Sequence, residues 1–203
     1  MSRVSVLTGQ LYGKLDWVSN NAPEVGMYIR TSGNVSTRCI LRGDTVENML
    51  KTGLMREGMM ATGSGVIHAR CINRKISNGA LQAEVVCDID HLVAEDSTPV
   101  RVRGSIHASL KGVVMYWNPE TGQAKTFFNF DTPGRPEKLV CSIYLRHWVG
   151  GMSNISRGRF LAAMRVGREF TLAGVVEVQG YADRNGTDVP VLSILPLDFK
   201  LQG

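Results

Sequence analysis

The stretch Gly167-Arg168-Glu169-Phe170-Thr171-Leu172-Ala173-Gly174-Val175-Val176-Glu177-Val178 leaves a helix-like run, passes a glycine and climbs into a β-rich strand. A related stretch stands earlier: Gly58-Met59-Met60-Ala61-Thr62-Gly63-Ser64-Gly65-Val66-Ile67-His68-Ala69. Each has a glycine, a second glycine seven positions later, and then two β-branched residues. We read this as the seam of an internal duplication, which the flanking sequence has to support.

The flanks agree. Before the earlier stretch, residues 4–17 alternate Leu11, Leu15 and Trp17 against Gln10, Tyr12, Lys14 and Asp16, which suits a half-buried strand. Strands are predicted at 27–31 and 35–42, and Asp44 or Thr45 is predicted to cap a helix running to Leu54. Two more strands follow, about 59–73 and 81–92, joined by a polar turn at 74–79. The acidic, proline-closed segment Glu95-Asp96-Ser97-Thr98-Pro99 is the best boundary in the chain. Beyond it the plan returns, with strands at 100–117, 123–130 and 139–148 and a helix opened by Ser153 or Asn154. The stretch quoted first, a turn at Asp183-Arg184-Asn185-Gly186 and a last strand at 189–201 complete it. Gly104-Ser105-Ile106 aligns with Gly9-Gln10-Leu11 in this reading, and Leu110 with Leu15. The run 139–148 alternates most clearly: Leu139, Cys141, Ile143 and Leu145 on one face, Val140, Ser142, Tyr144, Arg146 and Trp148 on the other.

Each half thus reads strand, strand, strand, short helix, strand, strand. That order is the plan of the OB fold, a small, partly open Greek-key barrel. The expected architecture is all-β, with two tandem five-stranded OB-fold-like barrels over residues 1–96 and 97–203, each with one short helix between strands three and four.

Composition narrows the function. The chain has 203 residues, enough for two small domains, and no apolar run near the roughly 20 residues of a membrane span. The N-terminus lacks a signal peptide's apolar core, so a cytoplasmic protein is expected. Cys39, Cys71, Cys87 and Cys141 form no C-x-x-C pair and read as buried free thiols. Net charge is +5, and all of the excess lies in the second half. Residues 1–97 balance ten basic against ten acidic side chains, whereas 98–203 carry thirteen against eight. A basic half is one footprint of a polyanion-binding surface. Enzymatic motifs are lacking: no phosphate loop, no nucleophile elbow around Gly63-Ser64-Gly65, and no paired ligand spacing among the histidines. Asp88-x-Asp90-His91 puts its two acids on one polar strand face, and no metal or other cofactor is expected.

The chain resembles single-stranded DNA-binding proteins built from tandem OB folds. The resemblance is architectural, covers nearly the whole chain and rests on no specific motif. It implies a non-enzymatic protein that tracks a single strand of DNA, or of RNA as a variant, with little sequence preference, and that assembles as a homo-oligomer, a dimer being favoured. Bacterial members typically carry a flexible linker and an acidic C-terminal tip. Here the sequence ends just after a strand, so a phage, plasmid or other mobile-element role is expected rather than a housekeeping hub.

Such a site needs cations along the backbone and aromatic faces for stacking. In the second half these are Tyr144, Arg146 and Trp148 on strand three, Lys125 and Phe127 on one face of strand two with Phe128 and Phe130 on the other, parity alone not choosing the outward face, and Trp117, with Tyr116, at the rim of the first loop. In the first half they are Tyr28 and Arg30 on strand two, Arg38 and Arg42 on strand three, and Arg70, Arg74 and Lys75 near the turn between strands four and five. Arg157, Arg159, Arg165 and Arg168 surround the second helix as a further basic patch. The alternative for the Tyr144-x-Arg146-x-Trp148 face is a protein interface, where the same residue types are enriched, in a β-rich assembly module of a replication, transfer or virion complex.

Overall fold

A computed structural model describes residues 6–30, 36–75, 81–96, 104–129 and 138–202; within these, the side chains of residues 6, 73–75, 127–129, 138–140 and 147 lie outside the described set, the expected site residues Arg74, Lys75 and Phe127 among them. The protein is mostly β. The first half contains β1 (Val6–Lys14), β2 (Trp17–Val18), β3 (Val25–Arg30), β4 (Ser36–Arg42), α1 (Asp44–Lys51), β5 (Met60–Lys75) and β6 (Leu81–Glu95). The second contains β7 (Ser105–Val113), β8 (Tyr116–Asn118), β9 (Gln123–Asn129), β10 (Lys138–Tyr144), α2 (Arg146–Gly150), α3 (Asn154–Ala163), β11 (Glu169–Ala182) and β12 (Asp188–Leu201).

The two halves pair identically. β1 pairs with β5, β5 with β6, β6 in parallel with β4, β4 with β3, and β3 with β2, which continues β1 past a break at Asp16. In the second half β7 pairs with β11, β11 with β12, β12 in parallel with β10, β10 with β9, and β9 with β8, which continues β7. A pairing order that starts and ends on the same stretch of chain leaves few free strand edges.

The motif glycines sit where the duplication requires them. Gly58 and Gly167 have φ of 91° and 88° and donate to the Leu15 and Val114 carbonyls, so those residues are equivalent. Gly65 and Gly174 both adjoin a register shift in β5 and β11. There a Cβ would run into the Asp88 carbonyl in the first half and the Leu195 carbonyl in the second. Glycine is needed because backbone packs directly against backbone at a bulge.

The same bonds correct the alignment of the first strands. Leu15 answers to Val114, not Leu110, and Gly9, which pairs with Gly65, answers to Ala108, which pairs with Gly174. β1 and β7 also pair with each other, antiparallel, with Gly9 opposite Ala108. The two halves are therefore related by an approximate two-fold axis through that pair. Leu7 and Leu11 stand opposite Leu110 and Ile106 across it, and all four are buried. Full burial of each such side chain stabilises the fold by roughly 1.5–3 kcal/mol. Small residues fit at the axis: a Cβ on Gly9 would meet Ile67 and Ile106.

The helices depart from expectation. α1 starts after Gly43, whose φ of 115° and lack of a side chain leave the first turn uncapped, so neither Asp44 nor Thr45 is the cap. Asp44 and Glu47 in its first turn and Lys51 in its last complement the helix dipole, and Lys51 pairs with Glu47. Among the described residues the second half has two helices rather than one. Strand three stops at Tyr144, and Arg146–Gly150 forms α2. α3 is capped by Ser153, which accepts from the Ser156 N–H at 3.3 Å. Cys39, Cys87 and Cys141 are buried and Cys71 is half-buried, all as free thiols. No helix among the described residues is long and apolar enough to cross a membrane.

Candidate nucleic-acid interface

Strand alternation assigns the two sides of each half. In β4 and β6, Cys39, Leu41, Val85 and Cys87 join the core; Arg38, Ile40, Arg42, Glu84, Val86 and Asp88 face the other way. The corresponding strands β10 and β12 send Cys141, Ile143, Leu192 and Ile194 to the core and Ser142, Tyr144 and Ser193 outward. These outward faces are the expected binding surfaces, and they differ in chemistry.

The first half's outward face is filled by its own charges. Arg70 donates from Nε to Glu84 at 2.6 Å and from both terminal nitrogens to Glu24 at 3.1 Å each. Arg38 lies 3.5 Å from the other Glu84 oxygen and 4.9 Å over the Trp17 ring. Trp17 in turn lies over Gly26, where a Cβ would collide with the indole. Beside this group, Arg42 donates to Asp88 at 2.6 Å, and His68 Nε2 stands 3.0 Å from Asp88 and 3.1 Å from Arg42. Burial opposes ionisation of Asp88, but hydrogen bonds from His68 and Arg42 outweigh it and hold the carboxyl at about 2. Ile40 and Val86, outward by register, are nonetheless fully buried beneath this layer. Arg38, Arg42 and Arg70 are thus brought together as expected, but each faces a carboxylate. Tyr28 and Arg30 are exposed on β3.

The second half's face carries exposed rings, although Ser142 and Ser193 on it are buried. Tyr116, Lys125 and Ser142 stand opposite one another across β8, β9 and β10, so they share a side. Tyr144 lies two residues beyond Ser142 on the same side. Tyr116 and Tyr144 are 41% and 42% exposed, with Lys125 Nζ 5.2 Å from the Tyr116 ring centroid. Ala124 and Thr126 are fully buried, which settles that Lys125 is on the outward side of its strand. Among the described residues, neither Lys125 nor Arg146 has an ion-pair partner.

Two expected contacts are corrected. Trp148 is not beside Tyr144 on a strand. It belongs to α2 and packs edge-on to Phe160 at 5.3 Å and against Phe199 at 5.9 Å, partly buried on the core. Trp117, placed at a loop rim by the sequence, is in β8 and also packs on the core. Its neighbour Tyr116 is the exposed ring, and it answers to Trp17: Tyr116 pairs with Lys125, Trp17 with Gly26. Arg146 is exposed at the start of α2, away from the strand row. The sequence missed Glu24 and Glu84 as partners of Arg70; their spacing carries no signal, since the contacts join residues far apart in the chain. Among the described residues no group of three metal-ligating side chains occurs.

No protein-family model matches this chain, and no curated protein matches it in sequence. Among solved structures it is similar to the crystal structure of wild-type single-stranded DNA-binding protein from Thermus aquaticus, at 12% identity and a TM-score of 0.47, covering 99% of this chain and 95% of that one. A deletion mutant of the same Thermus aquaticus protein gives 13% identity and a TM-score of 0.49, covering 100% of this chain and 97% of that one. The likeness is one of architecture.

Proposed function

We propose that the chain is a non-enzymatic protein that binds single-stranded DNA with little sequence preference, through two OB-fold-like barrels spanning residues 1–96 and 97–203. The observation that carries this reading is the outward row Tyr116, Lys125 and Tyr144, two exposed phenol rings beside a cation with no ion-pair partner among the described residues. Aromatic rings accept any base by stacking, and a cation between them meets the backbone phosphate. The shared pairing order supports the barrel reading, because it is the strand order of the OB plan in both halves. Replication, recombination or transfer of DNA in the cytoplasm is the setting such binding serves, and a homodimer would present four OB-fold-like barrels.

A titration of fluorescent oligo(dT) at rising salt tests this. Affinity should fall with salt as counterions are released. Tyr116→Ala and Tyr144→Ala should each weaken binding by about 1–3 kcal/mol while leaving the fold intact, because both rings are exposed. Absence of binding at low salt, up to tens of micromolar protein, sinks the reading. RNA is the same chemistry with a 2′-hydroxyl, and a parallel oligo(U) titration measures the preference.

A second reading has one observation in its favour. α3 buries none of its residues, and Ile155 in its first turn is 72% exposed, with Val166 beyond its end at 61%. An assembly module would use that apolar surface, and salt-insensitive binding to a protein partner would promote it over the first.

A further inference from the structure

We infer that the first half carries a latent phosphodiester-binding site at Arg70, and that Glu24 masks it from within the chain. This rests on the single-strand-binding reading above.

A guanidinium presents parallel N–H donors in a fork that fits a carboxylate and a phosphate alike. Glu24 occupies that fork with both oxygens, at 3.1 Å each, just as a phosphate would. The remaining Arg70 donor, Nε, is held by Glu84, which is almost completely buried, so the fork is fixed in place. Arg70 itself keeps a third of its side-chain surface exposed, and a ligand can reach it.

Position supports the same conclusion. Glu24 ends the turn between β2 and β3, whereas Arg70 lies on β5 as it approaches the turn to β6. In the barrel plan these are the two loops that flank the binding face. The contact therefore spans the mouth of that face, over β4 and β6. Trp17 and Arg38 lie on the same face, with the ring under the guanidinium rather than open to a base.

Charge decides the outcome. Arg38, Arg70, Glu84 and Glu24 sum to zero as they stand. Neutralising Glu24 leaves the cluster one positive charge in excess, with two donors free. At the equivalent places the second half has no such arrangement: Gln179 replaces Arg70 and Val191 replaces Glu84, by register with β12 and β10. The two halves are thus unequal: the first occupies its own fork, and the second has no counterpart to it at these positions.

Oligo(dT) titrations with the full chain at several salt concentrations test this, comparing wild type, Glu24→Gln, Arg70→Ala and the double variant. Arg70→Ala leaves the cluster one negative charge in excess and should bind no more tightly than wild type. Glu24→Gln should bind about fivefold more tightly near 0.1 M salt, with the log–log salt slope steeper by about 0.7, the value for one added phosphate on a single strand. The double variant should return to wild-type behaviour. Circular dichroism melts report whether each variant is folded, and Glu24→Asp, with its shorter reach, supplies an intermediate case if Glu24→Gln is not. Wild-type binding that depends on Tyr144 but is unchanged by Glu24→Gln and Glu24→Asp overturns the masking alone. Tighter binding by the double variant than by wild type, equal to that of Glu24→Gln, also overturns it, since the gain would then not pass through Arg70. Wild type that binds no oligonucleotide overturns both this inference and the reading beneath it.

Discussion

Asp88 stands between a guanidinium and an imidazole, and its carboxyl is held at about 2 by their hydrogen bonds against the cost of burial. An unfolded aspartate titrates near 3.9. Between about pH 4 and 2 the folded chain binds fewer protons at this residue than the unfolded chain does. The stability contributed by Asp88 is therefore present above about pH 4 and is lost as the pH falls to about 2. Nearly half of the side chain is exposed, so solvent screening reduces the contribution to about 1 kcal/mol or less. Asp88→Asn should be less stable by that amount at pH 7 in urea denaturation, with the gap to wild type closing between pH 4 and 2. A gap that stays constant down to pH 2 would show that the carboxylate's charge contributes nothing. The buried thiols behave differently: burial, reinforced by Asp88 and Asp90, pushes Cys87 up to about 12, and burial raises Cys39 and Cys141 as well, so all three are poor nucleophiles at neutral pH.

The element that sequence reasoning misjudged is α2. Residues 139–148 alternate with period two, which reads as one long strand. Yet Leu145, Trp148 and Val149 stand at positions i, i+3 and i+4, the spacing of a helix face, and all three pack on the core. Over so short a run the two periods overlap, and tertiary packing chooses between them. Here the Leu145 N–H is taken by the Gly122 carbonyl at 2.9 Å, and the Val149 N–H then bonds back to Leu145 at 2.8 Å. That turn swings Trp148 onto Phe160 and Phe199, and Phe199 stacks on Phe170 at 5.4 Å. Trp148 is accordingly framework. Trp148→Ala should cost about 3 kcal/mol of stability in chemical denaturation, while the folded fraction keeps its affinity for oligo(dT). Loss of affinity without loss of stability would return the indole to the binding face.

At the scale of the whole molecule, the strand order was legible because glycines and alternation are local signals. Gly58 and Gly167 announced a repeated backbone geometry, and the structure gives both the same positive φ and the same hydrogen bond. The candidate site was legible only in part. Lys125, Arg38, Arg42 and Arg70 were chosen from their residue types, but which cations are paired depends on Glu24 and Glu84, brought close only by the closed order of the strands. The joint between the halves was not legible at all. Residues 95–99 read as a boundary, yet β1 pairs with β7 across it, and along the same seam the Arg30 N–H donates to the Gly104 carbonyl at 2.8 Å and the Gly104 N–H to the Tyr28 carbonyl at 3.0 Å. Core residues of both halves also form one continuous cluster. Domains joined by a linker unfold separately, whereas domains that share a strand pair and a core unfold together. The full chain should therefore give one calorimetric transition with calorimetric and van't Hoff enthalpies equal. Leu11→Ala, at the pair with Ile106, should lower that single transition by about 2–5 kcal/mol of stability without splitting it. Two resolved transitions in the wild-type chain, or a variant that melts the first half alone, would mean that the β1–β7 seam does not couple the halves.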